Sequence, residues 1–157
     1  MKAILSRCSR LAPFLPLPLT ESPNRMQVSE GAVRILIVED SPLVQKMYGL
    51  AFSQRQHTLV TAANGRLALS ILDADEGNFD LILLDLRMPD MNGVEFLSEL
   101  PRHSGAGIPV VLTTAEPPGS PMLQQARALG TAAVVHKPWR PNELRDLVRT
   151  VVPEEIA

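Results

Sequence analysis

The sequence predicts an open, doubly wound α/β fold: a five-stranded parallel sheet with helices on both faces. Three observations carry that expectation. Five short aliphatic runs recur along the chain, several of them lack the polar alternation of a half-exposed strand, and a stretch with helix signatures follows each run.

The first run is VRILIV, Val33 to Val38. Behind it Ser41 is a good helix N-cap and Pro42 a good first helical residue, and Leu43, Val44, Met47, Leu50, Ala51 and Gln54 give an apolar stripe at helical spacing. TLVTA, Thr58 to Ala62, is the second strand; an Asn64-Gly65 turn then leads into Leu67, Ala68, Ile71 and Leu72. The third, DLILLD, runs from Asp80 to Asp85, and its helix carries Gly93, Val94, Phe96, Leu97 and Leu100 before Pro101 closes it. PVVLTT, Pro109 to Thr114, precedes a second cap signature, Ser120-Pro121, with Met122, Leu123, Ala126 and Leu129 behind it and Gly130 at the C-terminal cap position. The last pair is AAVVH, Ala132 to His136, and a helix bearing Pro141, Leu144, Leu147, Val148 and Val151. With connections this short, right-handed crossovers are close to obligatory.

A length of 157 residues, 45% of them hydrophobic and 20% charged, fits one globular domain. The regular text spans residues 33–152, leaving a Pro-rich N-terminal tail at 1–32, expected to be disordered, and a C-terminal tail at 153–157. The front of the tail superficially suggests an export signal, but Pro13, Pro16 and Pro18 interrupt its apolar part and no small-x-small cleavage site precedes the first strand. Met26 is an alternative start. No run of about 18 apolar residues offers a membrane span, and a formal charge of -2 gives no reason to expect a nucleic-acid surface. The single cysteine, Cys8, cannot form an internal disulfide, which suits a reducing cytoplasm. A cytoplasmic protein without membrane or nucleic-acid partners is expected.

In open parallel sheets, ligands bind outside the carboxyl ends of the strands. Here those ends carry Glu39 and Asp40, Asp85, Thr114 and Lys137. Carboxylates gathered on one rim raise one another's pKa unless a cation sits among them, so the cluster implies a hard metal, with Mg²⁺ the expected ion. Carboxylate, metal, ammonium and hydroxyl together are what phosphoryl transfer needs, with Asp85 the natural acceptor.

The motifs ILIVEDSPLV, LILLDLRMPDMNG, PVVLTTA and VVHKPW, in this order and at fitting spacing, make the chain from about Val33 to Val152 resemble the receiver domains of bacterial two-component response regulators, in particular stand-alone, chemotaxis-regulator-like ones. The resemblance implies a flavodoxin-like strand order of 2-1-3-4-5. It implies a phosphoprotein rather than an enzyme, one that assists only its own phosphorylation and dephosphorylation. A sensor histidine kinase or histidine phosphotransfer protein would supply the phosphoryl group to Asp85, giving an aspartyl phosphate. Glu39, Asp40, Asp85 and the backbone carbonyl of Arg87 would surround Mg²⁺, Lys137 would pair with the phosphoryl group, and Thr114 would swing toward it. Helix one, with Val44, Met47 and Tyr48, would dock the kinase or phosphotransfer helix. Only PEEIA follows the last helix, so output is expected to pass through a downstream protein target, with a homodimer through the same output face as an option.

Several positions depart from the common pattern. An aromatic residue often lies three places before the lysine; here it is Val134. Arg87 stands two residues after the acceptor, where it can influence attacking water, and Glu116-Pro117-Pro118-Gly119 makes a stiff start to the following loop. Strand alternation turns Thr113 away if Thr114 faces the site. His57, His103 and His136 show no ligand spacing, Met88 and Met91 read as loop packing, and Trp139 reads equally as a docking anchor or as core. Two rival functions use the same residues. One is a phosphorylation-independent scaffold, against which the intact Asp40, Asp85, Thr114 and Lys137 argue. The other is an aspartyl-phosphate phosphohydrolase, which typically has a second aspartate where this chain has Arg87.

Overall fold

The computed structural model describes residues 32–153. The expected disordered tail with Cys8, and the end of the chain after Pro153, lie outside the described residues. Strands β1 (Arg34–Val38), β2 (Thr58–Ala62), β3 (Leu81–Asp85), β4 (Val110–Thr114) and β5 (Ala133–His136) alternate with helices α1 (Pro42–Ala51), α2 (Gly65–Ala74), α3 (Gly93–Glu99), α4 (Pro121–Ala128) and α5 (Pro141–Val151). All strand pairs are parallel and the order is β2-β1-β3-β4-β5, the flavodoxin-like arrangement expected. Each strand ends where the aliphatic run ends. β3 is buried along its whole length in the middle of the sheet, and its last residue, Asp85, is level with Thr113 of β4.

The helix starts are capped by side chains, as foretold at Ser41 and Ser120 and also at Asn64 and Asn92. Ser41 Oγ accepts from Val44 N, Asn64 Oδ1 from Leu67 N, Asn92 Oδ1 from Glu95 N and Ser120 Oγ from Leu123 N. Glu95 also returns a bond from the Asn92 amide, completing a capping box at the head of α3. Pro101 does end that helix, within a 3-10 turn at Leu100–Arg102. Gly130, at φ +92, follows α4 in the left-handed conformation that closes a helix.

Two apolar layers cover the sheet. One, beneath α2, α3 and α4, includes Leu36, Leu84, Leu72, Phe96, Leu112 and Leu123; the other, beneath α1 and α5, includes Ile37, Leu83, Tyr48, Trp139, Leu144 and Val148. The apolar stripe read on α1 is only partly its buried face. Leu43, Met47 and Leu50 are 69%, 39% and 73% exposed, whereas Tyr48 and Ala51 are buried and Val44 half-buried. At about 100° per residue the two sets form neighbouring stripes a quarter-turn apart, and the aromatic-bearing one packs on the sheet. The same happens on a smaller scale in α2, where Leu69 is buried and Leu67 exposed.

Trp139 is core rather than a surface anchor: it is buried, with its ring centroid 4.8 Å from that of Tyr48. Met91 packs into the other layer against Gly65, where a Cβ would lie 2.8 Å from its side chain. At the amino edge of the sheet Val33, Phe52, His57, Arg145, Val148 and Val152 line a shallow cleft between the start of β1 and the end of α5. None of the histidines gathers a metal set among the described residues. His57 Nδ1 accepts from the Val33 amide, His103 pairs with Asp73, and His136 is exposed.

Candidate functional site at the carboxyl rim

The carboxyl ends of β1, β3 and β5 bring their charged residues together. Glu39, Asp40 and Asp85 each offer a carboxylate oxygen, all within 4.8 Å of one another, and Glu39 and Asp85 are buried while Asp40 is exposed. Lys137 enters from the β5 end: its Nζ lies 2.7 Å from Glu39 Oε2 and 3.3 Å from Asp85 Oδ2. The backbone fixes each of these side chains. Glu39 N donates to Ala62 O, extending the β1–β2 ladder by one residue, and Lys137 N donates to Thr114 O, doing the same for β5 and β4. The Lys137–Pro138 peptide is cis. Gly93 leaves room beside the end of β3, since a Cβ there would meet the Asp85 carbonyl oxygen at 2.9 Å and Leu86 at 2.8 Å.

Crowding and burial disfavour the ionised carboxylates. Desolvation lifts Glu39 above its ordinary value, with Lys137 opposing and Asp85 adding to the rise. Asp85 is raised for the same leading reason, again with Lys137 opposing and Asp40 adding. Glu39 and Asp85 therefore share the Lys137 ammonium, and with Asp40 beside them the three carboxylates lie close enough together to hold a cation. Thr114 is buried at the same rim, where its Oγ1 accepts the Glu116 amide at 3.0 Å, so its own proton remains available to donate. Arg87 stands over Asp85: its amide reaches Asp85 Oδ1 at 3.4 Å and its guanidinium pairs with Glu116.

The model of the response regulator receiver domain matches residues 35–149. The chain is 32% identical over 120 residues to sporulation initiation phosphotransferase F of Bacillus subtilis, covering 76% of this chain and 94% of that protein. The chain belongs to the receiver family. It is also 34% identical over 110 residues to the alkaline phosphatase synthesis transcriptional regulatory protein SphR of Synechococcus elongatus, but spans only 42% of that relative's length. Among solved structures, the chemotaxis protein CheY4 of Vibrio cholerae superposes with a TM-score of 0.67 at 28% identity, covering 77% of this chain and 99% of that one. Receivers work in two-component signalling, and the acidic cluster of this receiver lies where its motifs place it. No helix among the described residues is long and apolar enough to cross a membrane.

Other parts of the receiver's rim were not visible in the motifs. Thr113 does point away from Thr114, and it is engaged: Tyr48 Oη donates to its Oγ1 at 2.7 Å beneath the site. Burial pushes the Tyr48 phenol far up, so it stays a neutral donor. Glu116, read only as part of a stiff loop, is buried and doubly engaged, since Arg87 binds one carboxylate oxygen and Ser120 Oγ donates to the other at 2.5 Å. These two bonds, Ser120 first, hold the Glu116 carboxyl below its ordinary value. A glutamate two residues after a strand-ending threonine, facing an arginine two residues after a strand-ending aspartate, is the signal that would have found the pair.

Proposed function

We propose that this receiver accepts a phosphoryl group on Asp85 from a phosphohistidine of a histidine kinase or phosphotransfer protein, and signals through contacts with a separate protein. The observation that supports this most directly is the placement of Asp85 at the end of the central strand, against Lys137 and within reach of two further carboxylates. An Asp85 carboxylate oxygen attacks phosphorus, the phosphorus–nitrogen bond to the donor imidazole breaks, and the departing ring keeps the electron pair and takes a proton. Lys137 Nζ, already at the carboxylate, offers its charge to the incoming phosphoryl oxygens. Thr114 contributes a hydroxyl proton toward the same group.

The donor set fits Mg²⁺: hard oxygens only, three carboxylates of which two already share one lysine, and those two held at raised pKa by burial. Glu39, Asp40, Asp85 and the Arg87 carbonyl would hold the ion, which when bound neutralises charge on the phosphoryl oxygens. Arg87 is ion-paired with Glu116, which leaves no second carboxylic acid at that position to serve a phosphohydrolase. The exposed apolar strip of α1, Leu43, Met47 and Leu50, starts beside the rim and suits the helix of a phosphodonor protein. Tyr48, buried beneath it, is not part of that surface. A cytoplasmic location, an unidentified downstream target and a homodimer through the α4–β5–α5 face complete the reading.

Purified protein incubated with Mg²⁺ and a small-molecule phosphodonor is expected to gain one phosphoryl group in intact mass. Asp85→Asn should gain none. An unmodified wild-type mass, together with no amide shifts when the beryllofluoride mimic is added, would replace this reading with a scaffold that never carries phosphate.

A further inference from the structure

Between the acceptor and the head of α4 runs a chain of polar contacts through side chains that the transfer step does not use. Arg87 is tethered next to Asp85 by its own amide, and its guanidinium is paired with Glu116 across from the next loop. The far oxygen of Glu116 accepts the hydroxyl of Ser120, and Ser120 is the N-cap of α4, its Oγ also receiving the Leu123 amide at 3.5 Å. The Glu116 amide meanwhile binds Thr114 Oγ1. One buried glutamate thus joins the acceptor's neighbour and the first turn of a helix through its carboxylate, and the rim hydroxyl through its amide.

We propose that Arg87 is a charge-operated latch: it holds Glu116 and the α4 N-cap in place while Asp85 is unmodified, and a phosphoryl group on Asp85 draws it away and frees that cap. This rests on the reading of Asp85 as phosphoacceptor. The two ends of the ion pair differ in freedom, since the Arg87 side chain is 72% exposed and the Glu116 side chain 8%. The arginine is therefore the partner freer to leave the pair. A phosphoryl group adds acceptor oxygens and negative charge beside the Arg87 backbone, and a guanidinium binds such a group through a two-pronged fork. Once Arg87 leaves, Glu116 is a buried carboxylate that has lost its countercharge, which is costly unless it turns to find water. Turning it removes the acceptor of the Ser120 hydroxyl and disturbs the long cap bond to Leu123, so the first turn of α4 loosens. This route suits a chain in which the place three before Lys137 is Val134, half-buried and packed in the same layer as Leu123 and Ala126 of α4.

Nitrogen-15 NMR of the full chain tests the latch in three arms. In the wild type, adding Mg²⁺ and beryllofluoride should move the Arg87 Nε–H resonance and the amides of Ser120 and Leu123 together. In unmodified Arg87→Met, with no phosphoryl mimic present, those α4 amides should already sit near the wild-type activated positions, and Leu123 should exchange its amide hydrogen about fivefold faster, as for loss of a helix cap. Ser120→Ala should take up the phosphoryl group as the wild type does, by intact mass, while Arg87 still moves and the remaining α4 amides respond less. A wild-type Arg87 Nε–H signal unchanged by a mimic that does bind would overturn the proposal, as would α4 amides and exchange rates in Arg87→Met equal to those of the unmodified wild type. Absence of any mass gain in wild type and Ser120→Ala alike would instead remove the acceptor reading, and the unmodified Arg87→Met arm would still decide whether the latch holds α4.

Discussion

Asp85→Asn is expected to make the metal-free protein more stable while abolishing its modification. The magnitude follows from the rim. With an effective dielectric of about 20, Lys137 at 3.3 Å attracts the Asp85 carboxylate by about 5 kcal/mol, and each of the Glu39 and Asp40 oxygens, no farther than 4.8 Å away, repels it by about 3.5 kcal/mol or more. Repulsion therefore exceeds attraction by about 2 kcal/mol even before the burial of Asp85 is counted. The lost bond to Lys137 is already contained in that attraction, and Lys137 keeps its closer partner, Glu39. A gain of about 1–2 kcal/mol remains, which for a domain of this size raises the melting temperature by about 5 °C. Thermal unfolding by circular dichroism in low salt with a chelator measures it. Saturating Mg²⁺ should then close the gap, because the wild type binds the ion with one more carboxylate than the variant and gains more from it. If Asp85→Asn melted at or below the wild-type temperature in the chelator, the rim would not be a repulsive cluster and the reasoning for a cation there would fail.

Three further outcomes are expected. Lys137→Met removes the ammonium that Glu39 and Asp85 share, and should cost about 3 kcal/mol at neutral pH by urea unfolding, with part of the loss recovered in Mg²⁺. Because the folded-state pKa values of Glu39 and Asp85 lie above those of the unfolded chain, the folded state binds more protons. The metal-free protein should therefore gain stability as pH falls from neutral through the raised values, while its Mg²⁺ affinity, read by titration calorimetry, falls. The gain should reverse once pH drops through the ordinary values, 4.5 for Glu116 and 3.8 for Asp73, since those carboxyls are held low by their hydrogen bonds and contribute stability only when ionised. Gly93→Ala pushes a methyl group against Leu86 and the Asp85 carbonyl, and should cost about 2 kcal/mol and slow phosphoryl uptake measured by intact mass.

Strand ends and caps were legible in the sequence because both are local: an aliphatic run stops at Asp85, and Ser41 and Ser120 announce their helices within three residues. The acidic cluster was legible for a different reason, in that parallel topology sends every strand's carboxyl end to one rim. The face of α1 was not. Two stripes of similar hydropathy compete there, and only the sheet below, with Trp139 contributed from the far end of the chain, selects Tyr48 over Met47. The Arg87–Glu116 pair went unread although both residues stand two places after a strand end, because it joins two loops 29 residues apart that only the register of β3 and β4 brings face to face. Lys137 was placed at the rim by its position after the fifth strand, but its preference for Glu39 at 2.7 Å over Asp85 at 3.3 Å is a matter of packed geometry.

The cleft at the amino edge has a practical consequence. Val33 and Val152 line it together, so the two ends of the folded unit emerge side by side at the pole opposite the acidic rim. β1 alone, at about 3.3 Å per residue, sets some 16 Å between that pole and Glu39. A fluorescent reporter or an immobilisation tag can be grafted at either end without approaching Asp85, and a donor and acceptor dye pair placed at the two ends would start close together. Such a pair would stay insensitive to loop motion at the rim and report only unfolding, which makes it the natural internal reference for a sensor dye placed on α4.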